Sequence, residues 1–173
     1  MIRPKLLVIT QIIDTEDSHL SFFHLWLTKL AGKFPSIVAI CLKKGKYSLP
    51  NNVKVLSLGK ETGKSRVKYL YRFYKYIWQE RKNYDTVFVH MNQEYVLLGG
   101  KLWFLLGKKI FMWRNHHAGS WLTDLAAFFC DKVFCTSKFS YTAKYKKTVL
   151  MPVGVDTELF KPDPHKSKGT FKV

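Results

Sequence analysis

Acidic residues are scarce in this chain: 12 Asp and Glu stand against 29 Lys and Arg in 173 residues, leaving a net charge of +17. Such an imbalance favours an anionic partner, whether a membrane surface, a nucleic acid or a phosphorylated substrate. Cysteine is also sparse. Cys41, Cys130 and Cys135 form neither a CxxC pair nor an even framework, which excludes a disulfide scaffold and points to buried free thiols in a reducing compartment. No apolar run is long enough to cross a membrane, because the most apolar region, Tyr95 to Trp113, is broken by Gly99, Gly100, Lys101, Lys108 and Lys109. The early run KLLVITQII is too short for a signal peptide and lacks a small-residue cleavage site, so it reads as a strand. Internal repeats and low-complexity tracts are missing, as are a Ser-His-Asp arrangement and a Gly-rich phosphate motif.

What is present is apolar material in alternating periods. Hydrophobic residues make up 47% of the chain and aromatics 16%, enough for one good core. Strand-like runs fall at Lys5–Thr10, Ser36–Leu42, Val53–Leu58, 86–91, Ile110–Trp113, Lys132–Thr136 and Thr148–Val153. Helical periodicity occupies His19–Lys33, Ser65–Lys82, Glu94–Leu106 and Trp121–Cys130. Strands that are continuously apolar and separated by helices predict an α/β, Rossmann-like three-layer domain, its mostly parallel sheet covered on both faces. In the second helix Val67, Leu70, Tyr71, Tyr74, Ile77 and Trp78 recur at i, i+3, i+4 and i+7 and form the expected core stripe. A neighbouring stripe interleaves Tyr69, Phe73 and Tyr76 with Lys68, Arg72 and Lys75, a pattern that suits the headgroup layer of an anionic membrane. Aromatics beside cations also describe a single-strand binder, but no RNA- or DNA-binding motif is present, so nucleic acid is not the expected partner.

Ligands of open parallel sheets bind beyond the carboxyl ends of the strands. The loops expected there are polar: Gln11, Asp14, Asp17 and Ser18; His90, Asn92 and Glu94; Arg114 to Ser120; and Thr136 to Ser140. Each precedes a helix, whose free N–H groups favour anions. The stretch WRNHHAGSW, 113–121, holds the adjacent His116 and His117. That pair could be ordinary loop polarity bonded to nearby carbonyls. A zinc site would need a cysteine at ligand spacing to His90, His116 and His117, and none is there. Asp17 could equally cap the helix that follows, and the Gly99–Gly100 pair reads as a place of close helix packing.

VLMPVGVDTELFKPD, near the end of the chain, resembles the interdomain connection of family 4 glycosyltransferases of the GT-B fold, with Gly154, Val155, Asp156, Phe160 and Pro162 on the pattern. DKVFCTS at 131–137, TQIIDTEDSHLSFFHLW and VFVHMNQEYVLLGG carry the resemblance upstream, so that it spans about residues 5 to 164. It implies a Rossmann-like acceptor-binding domain over 1–155, a linker over 156–168 and the start of a C-terminal donor-binding domain at 169–173. By the same resemblance His116 takes the position of the histidine beside the transferred sugar. Asp14, Asp17, His90, Asn92, Arg114, His117 and Ser137 then become candidates for binding substrate, with Asn115 shaping the acceptor side. A retaining transfer is implied, with no cofactor and no metal, leaning on orientation and phosphate-charge stabilisation.

Two departures from the family stand out. DTEDS replaces the Gly-Gly pair that many relatives carry after the first strand, which favours Asp14 and Asp17 for acceptor hydroxyls over contact with the donor. The paired glutamates eight apart that belong to the donor half have no counterpart among Glu16, Glu61, Glu80, Glu94 and Glu158. The expectation is an incomplete enzyme: a half that binds a sugar or lipid-linked acceptor, meets the nucleotide-sugar donor through the missing domain, and sits peripherally on the inner, cytoplasmic face of a membrane. A noncatalytic subunit of a split transferase fits the same residues.

Overall fold

The computed structural model describes residues 3–63 and 65–152, together with Gly154, Thr157 and Lys161. Seven strands run in chain order as β1 (Leu6–Ile13), β2 (Ile37–Lys44), β3 (Val53–Ser57), β4 (Thr86–His90), β5 (Lys109–Trp113), β6 (Lys132–Cys135) and β7 (Thr148–Leu150). The helices are α1 (Phe22–Ala31), α2 (Arg66–Gln79), α3 (Gln93–Leu105) and α4 (Trp121–Phe129), with a 3₁₀ turn at Tyr141–Lys144. All six strand pairings are parallel and the sheet order is β3-β2-β1-β4-β5-β6-β7. The order reverses between β1 and β4, which makes their carboxyl ends the switch point where ligands of this architecture bind.

Alternation along the central strands sorts the core into two layers. Leu7 and Ile9, Val38 and Ile40, and Val87 and Val89 point to the face covered by α2, α3 and α4. Leu6 and Val8, with Ile37, Ala39 and Cys41, point to the face covered by α1. At ten residues α1 is too short to persist alone. Burial of Phe23 and Leu27, about 2 kcal/mol each, holds it on the sheet. Beside α1 the second face is not closed by a helix among the described residues. A cavity of about 680 Å³ lies there, walled by Trp26, Phe88, Phe111, Trp113 and Phe134.

Several boundaries differ from expectation for local reasons. β1 continues through Gln11, Ile12 and Ile13 because Ile12 and Ile13 pair with Lys43 and Lys44. α1 starts at Phe22 and not His19, since Asp17 Oδ1 accepts the N–H groups of His19 and Leu20 and closes a separate turn first. Gly100 lies against α4, where a Cβ would stand 2.9 Å from Phe129 Cγ, so this glycine serves close helix packing, while Gly99 makes room for the Trp103 ring of its own helix. Most of the proposed connection, Val155, Asp156, Phe160 and Pro162 included, and the expected start of a second domain at 169–173 lie outside the described residues.

The largest correction concerns α2. Phe73 and Ile77 are 1% and 0% exposed, whereas Val67, Tyr71 and Trp78 are 78%, 67% and 51% exposed. Tyr69 and Tyr76 pack partly buried against the same core as Phe73. The helix carries two apolar stripes, and tertiary anchors choose between them. Arg72 Nη1 donates to Leu58 O at 2.9 Å, Tyr69 OH donates to Gly63 O, and Phe73 meets Tyr95 at 5.4 Å and Trp103 at 6.1 Å. Phe73 therefore cannot face a membrane, and Tyr69, Arg72 and Tyr76 are engaged inward. Of the six residues assigned to lipid, Lys68 and Lys75 remain exposed.

Candidate functional site

Strand register brings the expected loops to one edge. His90 ends β4 opposite Trp113 of β5, and Trp113 pairs with Phe134 of β6. The residues that follow, Met91–Asn92, Arg114–His117 and Thr136–Ser137, therefore leave the sheet side by side, next to the Asp14–Ser18 loop of β1. At the switch point His90 is 2% exposed, its ring stacked on Phe23 at 4.3 Å and flanked by Phe22 and Trp26. Its Nδ1 lies 3.3 Å from Thr10 Oγ1. Burial lowers its pKa to about 4, so the ring is neutral at pH 7. Expected as a substrate contact, His90 is instead packed into the sheet beneath the loops. Met91 follows in a left-handed conformation, φ 70°, with its N–H donated to Trp113 O at 2.8 Å. A side chain at that φ costs about 1 kcal/mol, and such strain gathers at binding sites.

The histidine loop is pinned from inside and open outside. Arg114 turns back along its own loop, donating to Ala118 O at 2.9 Å and His116 O at 3.4 Å. Asn115 Oδ1 accepts Thr136 N–H at 2.8 Å and ties this loop to the one after β6. His116 and His117 are exposed and stacked, with ring centroids 4.8 Å apart. Ala118 N–H approaches His116 Nδ1 at 3.1 Å. Nδ1 also lies 3.2 Å from Ala118 O, so the ring either accepts from that N–H and offers Nε2–H as a donor, or donates to that carbonyl and presents Nε2 as an acceptor. The structure thus uses Arg114 and Asn115 to shape the loop, while the two imidazoles stand exposed at its outside.

The other candidates divide in the same way. Asp14 Oδ1 accepts Glu16 N–H at 3.0 Å and Lys46 N–H at 3.2 Å, which braces the β1 loop to the end of β2. Asp17 is a turn cap, and those two backbone bonds hold its carboxyl below the usual range. Asn92 is the N-cap residue of α3, without a side-chain cap bond. Ser137 Oγ accepts Phe139 N–H at 3.1 Å within the β6 loop. Among the described residues no group of three or more His, Cys, Asp or Glu is placed to hold a metal ion. Burial pushes the thiols of Cys41 and Cys130 up to about 12, too high for a thiolate nucleophile at neutral pH.

Sequence reasoning missed the brace behind this loop. Asp124 of α4 accepts from Tyr145 OH at 2.6 Å, Lys144 Nζ at 2.8 Å and Tyr141 OH at 3.0 Å. Those contacts, led by Lys144, lower its pKa. Thr142 Oγ1 donates to Arg114 O, Tyr141 N–H donates to His116 O, and Gly119 lies against the Tyr141 ring. One turn, Tyr141–Lys144, therefore locks the histidine loop to α4. An acid on α4 seventeen residues ahead of a Tyr-x-x-Lys-Tyr run was the available signal, and nothing in either pattern alone reveals the pairing.

No protein-family model and no curated protein sequence matches the chain. Its fold, however, is shared with solved structures. Anabaena HepE in complex with UDP superposes with TM-score 0.61 at 16% identity, over 92% of this chain and 47% of that one. This is a GT-B domain fold. The lipopolysaccharide outer core galactosyltransferase WaaB in its apo form gives 0.56 at 13% identity, over 88% of this chain and 47% of its own. The UDP-GlcNAc 2-epimerase of Methanocaldococcus jannaschii gives 0.53 at 15%, over 84% and 45%. The chain spans about half the length of the structures it matches.

Proposed function

We propose that this chain is the acceptor-binding half of a retaining GT-B glycosyltransferase of family 4 type, which moves a sugar from a nucleotide-sugar onto a lipid-linked or cell-envelope acceptor. The observation that carries the reading is the match of nearly the whole chain to half of a UDP-bound structure, taken together with an exposed histidine loop at the carboxyl edge of the sheet. In this reading residues 1–155 hold the acceptor and 156–168 link to a donor-binding half that supplies the groups for the diphosphate. His116 Nε2 donates to the donor sugar in the closed cleft, orienting the anomeric carbon. His117, Asn92 and Ser137 face the acceptor, and Asp14, Asp17 and Arg114 hold the loops that present them. The domain works at the inner, cytoplasmic face of an anionic membrane, where a lipid-linked acceptor would be carried.

The shared fold of the 2-epimerase supports a second reading, in which a nucleotide-sugar is isomerised and no acceptor is used. One assay separates the two. The chain alone, and the chain joined to a donor-binding half, are incubated with labelled nucleotide-sugars and a membrane-lipid extract. Transfer of label into lipid by the joined form alone supports the transferase. Isomerised nucleotide-sugar without an acceptor supports the epimerase, and micromolar binding of a nucleotide-sugar to the chain alone overturns the division of labour. In the active form His116→Ala loses on the order of 100-fold in turnover, the usual cost of one transition-state contact, and His117→Ala loses far less. Equal rates for His116→Ala and the wild type would return the pair to ordinary loop polarity.

A further inference from the structure

The inversion of α2 leaves its second apolar stripe facing outward, and that stripe does not end at the helix. Val67, Tyr71 and Trp78 are exposed on α2, Phe104 and Leu105 on α3, and Phe128 on α4. All three helices cover the same sheet face, and Tyr74 OH of α2 donates to Leu98 O of α3 at 2.9 Å, which joins the first two into one surface. Soluble monomers seldom expose so much clustered apolar surface without a partner for it. Cations frame it. Between residues 66 and 82 there are six Lys and Arg, of which Arg72 turns inward to Leu58 O, and one acid, Glu80. That acid is buried and paired with Lys54 Nζ at 2.7 Å, so it does not offset the exposed charge. Arg81 lies 4.3 Å over the Trp78 ring.

We propose that the outer face of α2 and α3 is a docking surface for an anionic lipid bilayer, with Tyr71, Trp78, Phe104 and Leu105 in the interfacial layer and Arg66, Lys68 and Lys75 on the headgroups. Charge complementarity selects this occupant. A second copy would set two strongly cationic faces against each other, whereas an anionic bilayer neutralises the cations and takes up the rings together. The helices begin at the carboxyl edge of the sheet, where the His116 loop lies, and end at the opposite edge, where Trp78, Phe104 and Leu105 are placed, so the docked face runs from that far edge toward the loop. A functional link between the docked face and that loop rests on the lipid-linked acceptor reading; the binding itself does not.

The test is co-sedimentation of the chain with vesicles of phosphatidylcholine, with and without phosphatidylglycerol. Binding is expected only with the anionic lipid. Arg66→Glu, Lys68→Glu and Lys75→Glu together weaken it by roughly 100-fold or more at low salt, since each cation near the surface contributes about fivefold. Tyr71→Ser with Trp78→Ser, and separately Phe104→Ser with Leu105→Ser, weaken binding even at about 150 mM salt, where charges beyond a Debye length are screened. Far-ultraviolet circular dichroism of each variant matches the wild type, because these side chains point to solvent. Equal binding to neutral vesicles, undiminished binding by both aromatic variants, preference for a single-stranded oligonucleotide, or a dimer that the same variants dissociate would each overturn the proposal. If vesicles bind but lipid acceptors take no sugar, the surface stands and the acceptor reading falls. Transfer to a detergent-dispersed lipid acceptor by a chain that ignores vesicles would give the reverse.

Discussion

At the scale of single residues, the polar side chains of the crevice separate into those that build loops and those that are left exposed. Asp14, Asp17, Arg114 and Asn115 had every mark of contact residues in the sequence, yet each spends its hydrogen-bonding capacity on nearby backbone. Sequence shows the residue type and its place at a strand end; it does not show which donors lie within 3 Å. His90 gives the sharpest case, because its aromatic wall comes from α1, some sixty-five residues earlier in the chain. Its burial has a consequence for pH. In the unfolded chain the imidazole titrates near the ordinary 6.5, and in the fold burial holds it at about 4. Between those values the unfolded state binds a proton that the folded state does not, so the stabilisation is complete above 6.5 and is lost as pH falls toward 4. The loss amounts to about 3 kcal/mol. Urea unfolding from pH 7 down to pH 4 should show that decline in the wild type and a shallower one in His90→Gln. Identical slopes would mean that the ring is solvated. Asp131 and Glu80, both held below the usual carboxylate range against the cost of their burial, titrate in both proteins and cancel from the comparison.

At the scale of elements, strands were easier to read than helix faces. A strand such as LLVITQII is apolar on both sides and admits one reading, a buried parallel strand. α2 is different: its sequence RVKYLYRFYKYIWQ satisfies helical periodicity on two faces at once. The choice depends on Leu58 O for Arg72 and on the Tyr95 and Trp103 rings for Phe73, partners far along the chain that no local pattern contains. The glycine pair of α3 was legible because glycine inside an apolar helical pattern costs about 1 kcal/mol relative to alanine and calls for a compensating contact. For Gly100 that contact is α4. Gly100→Ala gains the helical propensity but sets a methyl 2.9 Å from Phe129 Cγ and 3.0 Å from its Cβ. Because Phe129 Cβ is fixed to the α4 backbone, the two helices have to part, and overpacking of this kind costs about 1–3 kcal/mol. A net loss is expected, seen as a lower urea midpoint, and Gly100→Val should fall further. A rise in the midpoint for Gly100→Ala would show that α3 and α4 are not in firm contact.

At the scale of the whole molecule, the parallel architecture was legible from alternating elements, and the surplus of positive charge from composition alone. The placement of that charge was not, because it depends on which side of α2 faces out. Among the described residues the ion pairs at Glu16, Glu80, Asp124 and Asp131 each leave at least one partner half exposed or more, and such pairs contribute little. Self-repulsion of a +17 molecule acts on every cation at once and disfavours the compact state. The two effects respond oppositely to salt. Screening removes the small attraction of the pairs and also the larger repulsion among unpaired cations, so the balance moves toward the fold. Thermal unfolding should therefore shift upward by a few degrees as sodium chloride rises from about 10 mM to about 200 mM, a range in which the Debye length drops to well under 10 Å. Lys68→Glu with Lys75→Glu should raise the low-salt melting temperature and reduce the salt shift, because both lie on the cationic stretch of α2 and neither is buried. A melting temperature that falls with added salt would show that paired charges, and not the surplus, govern the electrostatics of the fold, and the frame of unpaired cations around the α2 and α3 surface would then lose its physical basis.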